Sequence, residues 1–171
     1  IINTDTMVES PVISKWVQTS LKRMDEAAVE QGLPFVTHRL TPAMDNTFWV
    51  NFLGRGYPFP RKKLRWCTDR LKIQPVNTFV RDQIAEHGEI IMVIGTRKAE
   101  SARRAKTMAY YEKKRVRELL SPNQAMVNEL VFSPLEDWND NDVWVFLMQY
   151  QNPWGYSNKE LLTLYKGATA D

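Results

Sequence analysis

The stretch Glu89-Ile90-Ile91-Met92-Val93-Ile94-Gly95, with the residues just after it, constrains the fold more than any other part of the chain. A near-continuous apolar run of this length reads as a strand covered on both faces, as in a parallel sheet. Gly95 lets the chain turn, and a helix begins at Ser101. That helix is so basic on most sides that little of it can be core. A covered strand feeding directly into a helix calls for layers of sheet and helix.

The same alternation runs through the rest of the chain. Ile1 to Asn3 reads as the end of a strand. Ser10 and Pro11 start a helix, because a serine oxygen accepts from free amides and proline fits the first helical position. Val12, Trp16, Ser20, Leu21, Met24 and Ala28 follow helical spacing, and Gly32 stops the helix. Phe35 to Leu40 forms a short strand. Pro75 opens a helix to Gly88, and the helix from Ser101 is expected to run on to Pro122. Leu130 to Phe132 is a strand closed by Pro134. Asn139 or Asp140 caps a helix holding Val143, Trp144, Phe146 and Leu147. Ser157 caps a last helix through Leu161, Leu162 and Tyr165 to Gly167. The expected fold is α/β: one domain over 1–171 with a doubly wound, mostly parallel sheet and helices on both faces. Residues 41–71 stand out as a loop-rich basic insertion with a short aromatic helix around Phe48, Trp49 and Phe52.

No apolar run approaches the roughly 18 residues of a membrane-spanning helix. The single cysteine, Cys67, excludes an internal disulfide framework and fits a reducing cytoplasm, the expected compartment. It also excludes a metal site built from several cysteines of this segment. The net charge is only +3, but the basic residues are clustered. Arg55, Arg61, Lys62, Lys63, Arg65, Arg70 and Lys72 face one acid, Asp69, within 55–72. Arg97, Lys98, Arg103, Arg104, Lys106, Lys113, Lys114, Arg115 and Arg117 face only Glu100 and Glu112 within 97–117. Such clusters suit a phosphate-rich partner; the plainer alternative is a solvated surface.

Ligands of open α/β sheets bind beyond the carboxyl ends of the strands. Three segments fall there and are expected to converge: 3–9, 95–101 and 133–138. In the second, Gly95, Arg97, Ser101 and Arg104 join a strand end to a helix start. Backbone amides and two guanidinium forks can there grip an oxyanion; the alternative is a capped, charged helix. In the first, Asp5, Thr6 and Glu9 can bind a ribose or a metal-nucleotide, or merely form a polar turn. The third reads mainly as structure, with Trp138 and Trp144 packing. Cys67 lies among Arg65, Arg70 and Lys72, where positive neighbours stabilise a thiolate. A nucleophile, a metal ligand and an ordinary buried cysteine all remain open. His38 and His87 have no partner at useful spacing, and no serine-type triad is present.

The order of these motifs resembles a known family. An Asp5-Thr6 acidic turn is followed by Arg65-Trp66-Cys67-Thr68 with Lys72 downstream. Gly95-Thr96-Arg97, Ser101 and Arg104 come next, then Pro134-Leu135-Glu136-Asp137-Trp138 with Asp142-Val143-Trp144. Pro153-Trp154-Gly155-Tyr156 and Leu164-Tyr165 with Gly167 to Asp171 complete the pattern. Together they are similar to the phosphoadenosine phosphosulfate reductase group of the adenine-nucleotide alpha-hydrolase fold. Within that group the nearer likeness is to the sulfurtransferases of DNA phosphorothioation.

The resemblance implies an ATP pyrophosphatase that uses ATP with Mg to adenylate a DNA backbone phosphate, so that sulfur can replace oxygen. It implies a cysteine desulfurase as sulfur donor and further subunits of a phosphorothioation complex as partners, with no membrane. Arg97, Ser101 and Arg104 would be the catalytic phosphate cradle. Asp5, Thr6, Glu9 and Gly95 would complete the nucleotide site, and Cys67 would ligate a [4Fe-4S] cluster. Arg61, Lys62, Lys63, Arg65, Arg70 and Lys72 would contact DNA. The family's phosphate loop would precede Ile1 and its other cluster cysteines would follow Asp171, so the fold is expected to be incomplete at both ends. Two other readings share these features. One is a reductase of small sulfonucleotides. The other is a non-catalytic nucleic-acid-binding module.

Overall fold

A computed structural model describes residues 1–61, 63–155, 157–159 and 162. The chain is mixed α/β with parallel strand pairing, and it divides into two compact units. The first comprises Ile1–Phe79 with Asn152–Asp171, and the second Val80–Gln151.

In the first unit, β1 (Ile2–Thr4) pairs in parallel with β2 (His38–Leu40), Asn3 opposite Arg39. The crossover between them is α1 (Pro11–Gln31). Ser10 caps it by accepting from the Ile13 amide at 3.4 Å, and Gly32 ends it in the left-handed region at φ 63°. The buried side of α1 is made of small residues, Ser20, Ala27 and Ala28, while Val12 is exposed. Asp25 on α1 holds the approach to β2, accepting from Thr37 N at 2.9 Å and from Thr37 Oγ1 at 2.7 Å.

The insertion contains a π-helical turn, Val50–Gly54, around fully buried Asn51. The Asn51 amide donates to Asn46 O, Asn46 Oδ1 and Thr47 O, and its oxygen accepts from Arg55. A tight turn then closes with mutual backbone bonds between Arg61 and Leu64. Next comes a continuous helical run: α2 (Trp66–Thr68), a second π turn (Asp69–Ile73) and α3 (Gln74–His87). The unit division falls within α3, and Gly88 ends that helix at φ 85°.

In the second unit, β3 (Ile90–Val93) pairs in parallel with β5 (Glu129–Phe132), Ile91 opposite Leu130. Beyond β5, β4 (Ser121–Pro122) pairs antiparallel as the edge strand. Between β3 and β4 lies α4 (Ala102–Glu112), capped by Ser101, and α5 (Asp140–Gln149) follows β5. Asn139 and Asp142 cap α5 reciprocally at 3.0 and 2.8 Å. Val80, Met126 and Leu130 are its buried apolar residues.

Two expectations are corrected here. The helix after Ser101 stops at Glu112, and Pro122 lies in β4. A proline is tolerated there because an edge strand leaves one side of its backbone unbonded. Residues Arg117 and Glu118, both at positive φ, turn the chain between them. The strand at 90–93 is not covered on both faces: Ile91 and Val93 are exposed, while Ile90 and Met92 are half-buried. The helix expected from Ser157 to Gly167 lies largely outside the described residues, although Ser157 Oγ accepts from the Lys159 amide. Among the described residues no helix is long and apolar enough to cross a membrane.

Candidate anion site at the end of β3

Parallel pairing brings the exits of β3 and β5 side by side. Ile94 N donates to Phe132 O at 2.9 Å, and the Thr96 and Ser133 hydroxyls meet at 3.3 Å. Lys98 N donates to Glu136 O at 2.8 Å. The segments 95–101 and 133–138 therefore converge within the second unit. The segment 3–9 belongs to the first.

Gly95, Arg97, Ser101 and Arg104 share this strand-to-helix junction. Ser101 serves α4 directly, its Oγ accepting from Arg104 N at 3.2 Å. The Arg97 side chain is only 16% exposed. Its Nη2 meets Asp140 Oδ1 at 2.7 Å, and its Nε lies 3.9 Å from Glu100 Oε1. The other oxygen of Glu100 takes Arg104 Nε at 3.2 Å. One carboxylate thus sits between the two guanidiniums expected to grip a phosphate. Arg97 Nη1 is buried without an acceptor. A desolvated N–H of this kind is costly, and an oxyanion oxygen would satisfy it. Asp140 is mostly exposed, so it can exchange for another anion cheaply.

A second charge cluster adjoins the first. Lys98 Nζ lies 2.8 Å from Asp137, 3.5 Å from Glu112 and 4.0 Å from Glu136. The hydrogen bond to Asp137 leads in raising the ammonium pKa above its ordinary value, against partial desolvation. Arg115 Nη2 meets Glu136 Oε1 at 2.5 Å, and this bond likewise holds the guanidinium in its charged form.

The other candidate nucleotide residues form a turn after β1 in the first unit. Burial opposes ionisation of Asp5, but bonds from Arg39 and from Met7 N at 2.7 Å outweigh it and hold the carboxyl below its ordinary range. Thr6 Oγ1 donates to Glu9 at 3.0 Å. Asp5 is therefore engaged by its own turn and by Arg39 of β2.

Cys67 is half-buried in α2. Among the described residues there is no group of three or more His, Cys, Asp or Glu side chains able to hold a metal ion. An iron–sulfur cluster takes several thiolates, and this chain has one. Its residues alone do not fit the cluster. Of the candidate DNA contacts, Arg61, Lys63, Arg65 and Lys72 are exposed. Arg70 is spent on structure, donating to Asn46 Oδ1 at 3.0 Å and Tyr57 OH at 2.8 Å. Lys62 lies outside the described residues.

Sequence reasoning missed Glu100, Asp140 and Arg39 as partners of the candidate groups. Glu100 had a signal, since it stands four residues before Arg104 on a helical start. Asp140 and Arg39 had none, because their pairings depend on the tertiary fold.

The family model of the phosphoadenosine phosphosulfate reductase domain matches residues 45–154. An uncharacterized protein of Methanocaldococcus jannaschii is 23% identical over 137 residues, which are 80% of this chain and 25% of that protein. The chain thus spans about a quarter of the length of the curated relative it matches.

Proposed function

The chain belongs to the phosphoadenosine phosphosulfate reductase domain family, and from that premise we propose that it is the nucleotide-handling part of an ATP-dependent sulfurtransferase acting on DNA backbone phosphate. Members of the family act on sulfur carried by a nucleotide. The observation that carries the reading is the buried Arg97 fork, with one N–H lacking an acceptor and an exposed carboxylate on another.

ATP, bound with Mg, supplies an adenylyl group and pyrophosphate as its leaving group. Arg97 and Arg104 bind and orient the phosphates, which take the place in which Glu100 and Asp140 now sit. Ser101 fixes the start of α4, so that its amides face the same anion. Neutralising charge where two polyanions meet is the main task for this chemistry. The exposed cations of the insertion bring DNA in by its phosphates, which positions a strand without reading its sequence. A cysteine desulfurase delivers the sulfur, within a larger modification complex.

The test uses the full-length protein. Arg97→Lys keeps the charge but loses the planar fork. DNA-stimulated pyrophosphate release should fall by about ten- to a hundred-fold, as expected for one charge-assisted contact of about 1.5–3 kcal/mol. Wild-type levels of release in that variant would remove Arg97 from the site. Absence of DNA stimulation in the unmodified protein, with reduction of a small sulfonucleotide instead, would replace this reading with the reductase.

A further inference from the structure

Phe48 is the hub of an aromatic cluster in the first unit. It stacks on Trp66 at 5.4 Å and 24°, and its centroid lies 5.7 Å from that of Phe52. Trp49 and Phe59 meet it edge to face at 5.2 and 6.3 Å. Trp66 is fixed in turn, its Nε1 donating to Pro58 O at 2.9 Å. Trp49 and Phe59 are thus held on a rigid mount, yet they are 56% and 67% exposed. Phe59 also meets Phe52 edge to face at 5.8 Å, and large rings fixed on one side and open on the other present surface that water solvates poorly.

The charge around these rings is mostly positive, with Asp45, four residues before Trp49, lying 3.9 Å from Arg55. Arg61 follows Phe59 by two residues, the Arg61–Leu64 turn carries Lys63, and Arg65 adjoins Trp66. None of these three cations makes an ion pair among the described residues. The one acid of the window, Asp69, accepts from Gln74 at 3.1 Å. We propose that the Trp49 and Phe59 rings, mounted on Phe48 beside the unpaired cations Arg61, Lys63 and Arg65, form a stacking platform for the bases of an unpaired DNA strand. The proposal rests on the reading that DNA is the substrate, and adds that DNA is engaged as a single strand.

The choice of occupant follows from chemistry. A duplex offers phosphates to the cations but keeps its base faces inside its own stack, so open aromatic rings gain nothing from it. An unpaired strand offers both at once. Rings that stack on bases beside a basic track are the common basis of single-strand binding, and they tolerate any sequence.

The experiment measures binding of the full-length protein to a labelled oligothymidylate of about 12 nucleotides, a length within the usual site range, and to a duplex of equal length. Trp49→Ala and Phe59→Ala should each weaken single-strand binding about fivefold or more, while duplex affinity changes little. Trp49→Phe should retain most of the affinity. Trp49→Leu, which keeps apolar bulk without a π face, should lose it. Leu binding like wild type, equal losses for duplex and single strand, or no loss at all would each overturn the platform. Thermal unfolding of each variant verifies that it folds. Pyrophosphate release measured alongside keeps the two ideas separable. Release still stimulated by DNA, with ring-independent binding, removes the platform alone. Ring-dependent binding without stimulated release keeps the platform and removes the activation reading.

Discussion

The two basic windows look alike as strings of lysine and arginine, but the fold treats them differently. In the second unit, Arg97, Lys98, Arg104, Arg115 and Arg117 meet carboxylates, several of them from distant parts of the chain, whereas Arg103, Lys106, Lys113 and Lys114 are exposed. In the first unit, Arg61, Lys63, Arg65 and Lys72 meet none among the described residues, and the Arg55 pairing with Asp45 is long at 3.9 Å. The five compensated cations project little field and act at close range, on a ligand that displaces their acids. An uncompensated one attracts polyanions from farther off, subject to salt. Net charge by window therefore says where cations are, and only the fold says which of them remain available.

The sharpest way to break this contrast is to remove an acid from the paired cluster. Glu136 is largely buried beside Arg115 and Lys98. Glu136→Ala leaves Arg115 with only the 3.7 Å contact to Glu112, while Lys98 keeps Asp137, and should cost about 2 kcal/mol of stability. Urea unfolding of the full-length protein would show it, and a change under about 0.5 kcal/mol would mean that the acids are incidental.

A smaller effect is expected from the open cluster, and on binding. Replacing Arg61, Lys63 and Arg65 together with Ala should lower duplex affinity by about tenfold at low salt. It should also flatten the salt dependence by about 0.9 log units for each phosphate no longer neutralised. The matched triple at Arg104, Arg115 and Arg117 should leave the salt slope nearly unchanged. Equal slopes for the two triples would erase the distinction.

The smallest effects sharpen the contrast between units through pH. Asp5 is held below its ordinary value of 3.8 despite burial, chiefly by Arg39, so its contribution to stability is present above 3.8 and is lost as pH falls through the folded value. Glu129 is the reverse. Desolvation raises it above 4.5 against a bond from Asn123, so it favours the folded state at low pH, and that gain is lost as pH rises from 4.5 through the folded value. Asp5→Asn should flatten the acid limb of a stability–pH curve, and Glu129→Gln should remove the decline above 4.5. Slopes of the same sign for both residues would contradict these assignments.

Signals carried by near neighbours were legible in the sequence. Ser10, Gly32 and Asn139 mark helix ends by their own chemistry, and the structure uses each of them so. The apolar run at 90–93 is a strand as expected. Its periodicity could not say that one face stays open, since a run apolar on both sides looks the same either way. The chain reversal after α4 uses Arg117 and Glu118 at positive φ, where no glycine or asparagine announces a turn. At the candidate site the cations were readable, but the acid facing Arg97 from Asp140 was not, because that meeting depends on how β5 leads into α5.

The π turn at Asp69–Ile73 gives the helix that carries Cys67 an offset of its own. Each α-helical residue advances the winding by about 100°, and a π turn accommodates one residue more than the regular spiral. Removing a single residue there, such as exposed Lys72, would let α2 and α3 join as one uninterrupted spiral. It would leave Cys67 facing as before relative to α3, because the π turn is what absorbs the extra residue, whereas the same deletion in a regular helix would rotate everything before it by about 100°. An alignment would score that change as a gap of one column. For the thiol it would be no change of compass bearing, so two relatives whose chains differ by that one column can still aim the cysteine at the same place.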